Sequence, residues 1–204
     1  MQVIHDEKIV HSDLKPANFV LVKGQLKLID FGIANAIAND TTNIQRDHQV
    51  SWTTVLLLKC FLILWQVGTV NYMSPEAIEL PDGMRRLKVG RPSDVWSLGC
   101  ILYQMVYGHP PFQHLSVYHK MKAIPDNSHI IEFPEMSIPS IPGARDPQNG
   151  SPSPPKKLEN LAMKVPPDVI STMKRCLARQ AKDRATIPEL LEDGWFAMEE
   201  RKWK

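Results

Sequence analysis

One apolar segment, residues 93–108, constrains the fold of this chain more than any other. Its sequence is "SDVWSLGCILYQMVYG", and apolar residues occupy most of its length. Ser93 or Asp94 is a candidate N-cap at its start, and Gly108 marks its end. A helix that is apolar all round is a buried helix. The sequence therefore predicts a central helix with the other elements packed around it.

Shorter elements surround this helix in the sequence. The runs "FVLV" (19–22) and "LKLID" (26–30) favour strands, and Lys23-Gly24-Gln25 between them predicts a hairpin. Two later segments, 166–178 and 186–198, carry apolar residues at three- and four-residue spacings that are typical of helices. The pattern predicts an α+β fold that is mainly helical and has a small β-hairpin near its start.

Composition limits the classes of protein to consider. The 204 residues suit one domain, and 43% hydrophobic with 23% charged residues is typical of a globular protein. A net charge of +2 gives no support to nucleic acid as a partner. Cys60, Cys100 and Cys176 lack CxxC spacing, so we expect neither a disulfide framework nor a zinc site, and a reducing compartment fits. The first residues show no signal-peptide pattern.

Two polar motifs carry the chemistry. "HSDLKPANF" at 11–19 is followed by "DFG" at 30–32, and together they resemble the catalytic and metal-binding loops of protein kinases. Phosphoryl transfer needs a group that positions the attacking hydroxyl, oxygen ligands for magnesium, and positive charge against the phosphate. These residue types are supplied by Asp13, Lys15, Asn18 and Asp30.

The resemblance implies a role for each of these side chains, with ATP and Mg²⁺ as the cofactors. Asp13 orients the substrate hydroxyl, and Lys15 lies against the transferred phosphate of ATP. Asn18 and Asp30 hold magnesium, whose preferred ligands are hard oxygens.

Further kinase-like motifs follow in the family's order. "GTVNYMSPEA" at 68–77 resembles the loop that grips the protein substrate, and Thr69 stands where a threonine ties Asp13 to that loop. The resemblance implies that Glu76 pairs with Arg184 and that Asp94 braces the backbone of the catalytic loop. Structural roles are implied for the other motif residues, which are His11, Phe31 and Gly32.

Each residue also has a simpler interpretation when it is taken alone. Asp94 would be a helix N-cap, Arg184 a solvated charge, Asp30 a turn residue and His11 a packed histidine. The kinase interpretation is favoured over these alternatives by five motifs in kinase order, which are "HSDLKPANF", "DFG", "GTVNYMSPEA", "SDVWSLG" at 93–99 and "AKDRATIPELL" at 181–191.

The string "IVHSDLKPANFVLVKGQLKLIDFGIANAI" closely resembles the spindle-checkpoint dual-specificity kinases of the monopolar-spindle or TTK type. Ser12 stands where most kinases have an arginine that pairs with a phosphorylated activation loop. The resemblance implies phosphorylation of serine, threonine and also tyrosine in kinetochore or checkpoint proteins. It also implies a protein of the nucleus and cytoplasm that acts at the kinetochore or spindle in mitosis. We expect no nucleic-acid or membrane partner.

Three threonines, Thr41, Thr42 and Thr69, are candidate autophosphorylation positions. Their alternative interpretation is that of exposed loop hydroxyls or, for Thr69, a structural hydrogen bond.

The resemblance covers residues 1–198 as a partial kinase domain, the large C-terminal lobe, with a tail at 199–204. No glycine-rich loop, strand lysine or partner glutamate of the small N-terminal lobe occurs in the sequence, so we expect this lobe to be absent and the chain alone to have little activity. A non-catalytic binding lobe and a defective gene model with no stable product are the alternatives.

Two segments depart from the family pattern. Residues 50–66 form an apolar insert, and removing it joins "DHQ" to "VGTVNYM", which restores the family pattern. Our hypothesis is that the insert is a short retained intron that is translated in frame. A membrane span is the less favoured interpretation, because the apolar run is shorter than about 20 residues and contains Lys59. Residues 137–157 are rich in Pro and Ser and predict a mobile surface loop, in which Ser151 and Ser153 precede prolines.

Overall fold

The computed structural model describes residues 1–31, 35–36, 43–45, 69–78, 88–141 and 155–194. Gly32, Thr41 and Thr42, the insert at 50–66 and the tail at 199–204 lie outside the described residues. The helices are α1 (Gln2–Asp6), α2 (Pro75–Ile78), α3 (Arg91–Tyr107), α4 (Val117–Ala123), α5 (Pro167–Cys176) and α6 (Ile187–Leu191). Single 3-10 turns lie at Pro16–Asn18, Thr69–Tyr72, Glu159–Leu161 and Ala181–Asp183.

Short antiparallel pairs make up the β structure. The strands are β1 (Ile9–Val10), β2 (Phe19–Val22), β3 (Gln25–Leu28), β4 (Asn35–Ala36), β5 (Asn43–Gln45), β6 (Lys88–Gly90), β7 (Met136–Ser137), β8 (Ser140–Ile141), β9 (Lys156–Lys157) and β10 (Met163–Lys164). Strand β1 pairs with β4, β2 with β3, β5 with β6, β7 with β10 and β8 with β9. The predicted mainly helical α+β architecture is confirmed.

The hairpin forms where its sequence predicts, but its turn is Lys23-Gly24 alone, because Gln25 already belongs to β3. Lys23 and Gly24 both adopt positive φ, 50° and 77°, between paired residues Val22 and Gln25. Two successive residues in the left-handed region form the tight turn that matches the twist of paired strands. Phe19 lies opposite Leu28 in the hairpin. The hairpin therefore places the end of the motif at 11–19 beside the start of the motif at 30–32.

Helix α3 is the centre of the core, as the apolar segment predicts. Trp96 and Cys100 are fully buried, and they pack with Met173 and Leu177 from the α5 region and with Phe112. The helix ends at Gly108, whose φ of 82° is the left-handed cap that glycine adopts without strain.

The predicted N-cap of α3 is wrong. Gly90 is the N-cap, and Arg91 and Pro92 form the first turn. Ser93 lies inside the helix, where its Oγ accepts a hydrogen bond from the Gly90 N–H at 3.2 Å. Asp94 points into the core instead of capping the helix, because its carboxylate binds backbone groups of a distant loop.

Other boundaries also differ from the sequence prediction. The helix predicted over 186–198 ends at Leu191 in the described residues. The ends of the Pro/Ser-rich loop are regular, because Ser140–Ile141 pairs with Lys156–Lys157 and Ser137 belongs to β7. Two-residue ladders of this kind carry no detectable period in the sequence.

Gly99 allows α3 and α5 to pack closely, so Gly99→Ala should destabilise the fold. A Cβ at Gly99 would lie 2.6 Å from the Cβ of Cys176 and 3.0 Å from Leu177 Cγ. Overpacking of this kind costs about 1–3 kcal/mol of unfolding free energy. Chemical denaturation of the 204-residue chain measures it, with Gly194→Ala as the matched control because nothing lies within 4 Å of that position. Equal stability of the two variants would contradict the close approach.

Candidate active site

The loop at 11–19 is anchored by one buried carboxylate. Asp94 Oδ2 accepts a hydrogen bond from the His11 N–H and Oδ1 accepts one from the Ser12 N–H, both at 2.9 Å. Asp94 is 1% exposed, so these bonds act away from water, where such bonds are strong. Ser12 has a φ of 69°, which this double anchor helps to hold.

His5 joins the same anchor, and sequence analysis missed it. Its Nε2 lies 2.9 Å from Asp94 Oδ2, and the side chain is buried. With the two backbone amides, His5 gives the Asp94 carboxylate a third partner. The sequence around His5 gives no local signal of this role, because His5 and Asp94 are far apart in the chain.

Lys15 contacts both Asp13 and Thr69. Lys15 Nζ lies 2.7 Å from Asp13 Oδ2 and 3.5 Å from Thr69 Oγ1. The Asp13 and Lys15 side chains are 10% and 23% exposed. A carboxylate and an ammonium group therefore meet a threonine of the next motif at the edge of solvent.

Asn18 and Asp30 lie on neighbouring segments at the open end of the hairpin. The Ile29 N–H donates to the Asn18 carbonyl oxygen at 2.8 Å, and Asn18 Nδ2 donates to the Ile29 carbonyl at 3.4 Å. Asp30 follows Ile29 directly and adopts a φ of 64°. This pairing brings an amide and a carboxylate side chain to adjacent positions.

His11 and Phe31 connect the two loops. Their ring centroids are 5.1 Å apart, and His11 Nε2 lies 3.4 Å from the Ile29 carbonyl oxygen. His11 is fully buried, whereas Phe31 is 45% exposed. The contact links the backbone around Asp13 to the backbone around Asp30.

A largely buried ion pair joins Glu76, in the motif at 68–77, to Arg184. Arg184 donates to Glu76 through both terminal nitrogens, at 2.6 Å and 2.8 Å. Burial alone raises the pKa of the Glu76 carboxyl, but hydrogen bonds and charge from Arg184, with a bond from Ser93 Oγ, bring this pKa below its usual range. Arg184 also donates to three carbonyl groups, those of Pro92, Ala178 and Arg179.

Comparison with known proteins decides the family. Residues 1–196 match the family model described as the protein kinase domain. The chain belongs to the protein kinase family. This result confirms the kinase-like fold that the motifs indicated.

Three protein kinases with similar sequences can be named. The serine/threonine-protein kinase mph1 of Schizosaccharomyces pombe is 50% identical over 196 residues, which cover 94% of this chain and 25% of that protein. The mouse dual specificity protein kinase TTK is 44% identical over 197 residues (94% and 18%). The serine/threonine-protein kinase MPS1 of Saccharomyces cerevisiae is 40% identical over 200 residues (94% and 21%). The resemblance to TTK-type kinases is confirmed, and the chain spans about a quarter or less of each relative.

Protein kinases use ATP and Mg²⁺, and the residues present fit the metal. Asn18 Oδ1 is buried and has no hydrogen-bond partner among the described residues. An orphaned amide oxygen beside an aspartate is a donor set that suits a hard cation. Magnesium bound here would neutralise the charge of the ATP phosphates.

Further contacts of the substrate loop were also missed by sequence analysis. Ser97 Oγ donates to the Tyr72 carbonyl at 2.7 Å, and Tyr72 OH donates to Gln104 Oε1 at 2.5 Å. Burial raises the pKa of Tyr72, so its hydroxyl stays protonated as this donor. These bonds fix the turn Thr69–Tyr72 on α3.

Among the described residues no helix has the length and apolar character that a membrane span requires.

Proposed function

We propose that this kinase transfers the γ-phosphate of ATP to serine and threonine hydroxyls of protein substrates, and also to tyrosine. The observation that carries the proposal is the contact of Lys15 Nζ with both Asp13 and Thr69, at 2.7 Å and 3.5 Å. It joins the residue that would orient the hydroxyl to the loop that would hold the substrate.

The proposed roles follow from the positions of the side chains. Asp13 orients the attacking hydroxyl and accepts its proton, a function that needs a carboxylate within hydrogen-bond reach. Lys15 balances charge on the transferred phosphate. Asn18 and Asp30 hold Mg²⁺ through their oxygens, and Thr69 positions the substrate loop. We expect Thr41, Thr42 and Thr69 to be sites of autophosphorylation.

Similarity to the TTK and MPS1 kinases supports a role in mitotic checkpoint signalling. We propose kinetochore or checkpoint proteins as the substrates. The corresponding location is the nucleus and cytoplasm, with the kinetochore or spindle in mitosis. A partner lobe that supplies a glycine-rich loop and a strand lysine completes the ATP site in kinases, so we expect the 204-residue chain alone to have little activity.

A phosphotransfer assay tests this function. The natural protein that carries this sequence is incubated with γ-labelled ATP, Mg²⁺ and a kinetochore protein extract, and the labelled amino acids are then separated. We expect label on serine, threonine and tyrosine that disappears when Mg²⁺ is removed with a chelator. Absence of label, with a folded protein, would favour the non-catalytic binding lobe.

A further inference from the structure

Three of the four tyrosine hydroxyls already serve as hydrogen-bond donors. All the tyrosines of the sequence lie within the described residues, and they are Tyr72, Tyr103, Tyr107 and Tyr118. Two of them are buried in the core. Tyr72 OH donates to Gln104 Oε1, and Tyr103 OH donates to the Glu132 carbonyl oxygen at 3.0 Å. Burial raises the pKa of both phenols, that of Tyr103 to about 12, so each stays protonated as a donor.

Tyr107 is partly exposed, but its hydroxyl is also engaged. Tyr107 OH donates to the Pro134 carbonyl oxygen at 2.8 Å, and its ring packs against the ring of Tyr103 with centroids 4.5 Å apart. A phosphate on Tyr107 would place acceptor oxygens against a carbonyl oxygen, so this hydrogen bond would be lost. The same change would break the bonds of the two buried tyrosines inside the core, where an unmatched polar group is destabilising.

Tyr118 differs from the other three tyrosines. It belongs to α4, is 64% exposed, and its hydroxyl has no hydrogen-bond partner in the part of the chain that the structure describes. Lys120 and Ala123 of the same helix are buried. Tyr118 therefore lies on the outer face of α4, and its hydroxyl is open to reaction with another molecule.

The charges around Tyr118 favour a phosphate. Lys122 Nζ lies 4.6 Å from the centroid of the Tyr118 ring, and the centroid of the His119 ring lies 5.5 Å from it. The sequence between Asp94 and Asp126 contains no aspartate or glutamate. Phosphotyrosine carries a charge of about −1.5 to −2 at pH 7, which pairs with a nearby cation and is repelled by nearby carboxylates. In a helix, an anionic residue is stabilised by a lysine four positions later, which is the spacing of Tyr118 and Lys122.

We propose that Tyr118 is an autophosphorylation site, at which one copy of the kinase phosphorylates the tyrosine of another copy. The inference rests on the proposed function, because the phosphate comes from ATP through the same active site. The Tyr118 oxygen forms a bond to the γ-phosphorus, the bond from this phosphorus to the bridging oxygen of ATP breaks, and ADP leaves. The phenol proton passes to the Asp13 carboxylate of the copy that acts as the enzyme. Transfer takes place between copies because α4 holds the hydroxyl on the outer surface of its own chain.

An assay with an inactive acceptor tests this proposal. The natural protein that carries this sequence is the enzyme, and the 204-residue chain with Asp13→Asn is the acceptor. After incubation with ATP and Mg²⁺, the acceptor is isolated and fragmentation mass spectrometry locates its phosphotyrosine. We expect the phosphate on Tyr118, and we expect Tyr118→Phe in the acceptor to abolish the phosphotyrosine signal. Tyr107→Phe is the matched control, and it should keep the signal.

The outcomes separate this site from the proposed function. Phosphotyrosine at another position, or an unchanged signal in Tyr118→Phe, would overturn the proposal. Transfer to serine and threonine of protein substrates without phosphate on Tyr118 would overturn the site alone. Loss of all transfer would overturn the proposed function and this site together.

Chemical acetylation tests the open hydroxyl without any need for kinase activity. N-acetylimidazole is added to the folded 204-residue chain, and O-acetyltyrosine is located by mass spectrometry. We expect Tyr118 to be acetylated faster than Tyr107, and the two buried tyrosines to be protected. Equal rates at Tyr107 and Tyr118 would overturn the assignment, because the proposal depends on the difference between these two hydroxyls. An unchanged circular dichroism spectrum shows that each acceptor variant is folded.

Discussion

Arg184→Met is expected to lower the free energy of unfolding by about 3–5 kcal/mol. Removing one partner of a buried ion pair leaves the other charge uncompensated, and that cost is of this size. The Arg184 side chain has no exposure and the Glu76 side chain is 18% exposed. Three backbone carbonyls also lose their Arg184 donor. Domains of this size have roughly 5–15 kcal/mol of stability in total, so the variant should be close to unfolding.

The pH dependence of this loss identifies its cause. The pKa of Glu76 is lowered in the folded protein, so its pair with Arg184 contributes stability above the ordinary carboxyl pKa of 4.5, and this contribution disappears as pH falls through the lowered value. The difference between wild type and Arg184→Met should therefore shrink in acid. Urea unfolding between pH 3 and pH 7 measures it. Lys182→Met is the matched control because Lys182 is exposed, and a loss under 1 kcal/mol at pH 7 for Arg184→Met would contradict the account.

Asp13→Asn should have the largest effect on catalysis. An amide has the size of a carboxylate but is a far weaker proton acceptor, and general-base groups contribute about 10²–10⁴-fold to rate. Asparagine keeps the shape of the Asp13 side chain and an oxygen that can accept the hydrogen bond from Lys15 Nζ. We therefore expect a large fall in kcat with the fold retained.

Local chemistry accounts for the parts of the fold that the sequence predicted well. The Lys23-Gly24 turn and the end of α3 at Gly108 depend on backbone conformations that a few neighbouring residues determine. The apolar character of residues 93–108 likewise requires burial wherever the helix lies. These features need no information about the rest of the chain.

Tertiary contacts explain where local rules failed. Ser93 and Asp94 are both favoured N-cap residues, yet Ser93 Oγ donates to Glu76 Oε1 at 2.7 Å and Asp94 binds the catalytic loop. Partners far along the chain decided the positions of both side chains. His5 was missed for the same reason, since its partner Asp94 lies on a different helix.

The candidate site was predictable only because its motifs resemble a family. The pairing of Glu76 with Arg184, and the meeting of Lys15 with Thr69, join residues that no spacing rule connects. Two features were visible only in the structure. They are the Asn18 Oδ1 atom, which is buried without a hydrogen-bond partner among the described residues, and the register in which β5 pairs with β6. Gly32, Thr41 and Thr42 stay predictions that lie outside the described residues.

We propose that Asp13 orients the attacking hydroxyl and accepts its proton, and steady-state kinetics of Asp13→Asn test this role most directly. The natural protein is assayed with saturating ATP and Mg²⁺, and Asp6→Asn is the control because Asp6 is exposed on α1. The account predicts that Asp13→Asn lowers kcat by about 10²–10⁴-fold, with an unchanged melting temperature, while Asp6→Asn keeps wild-type kcat. A kcat for Asp13→Asn within a factor of about three of wild type would contradict the account.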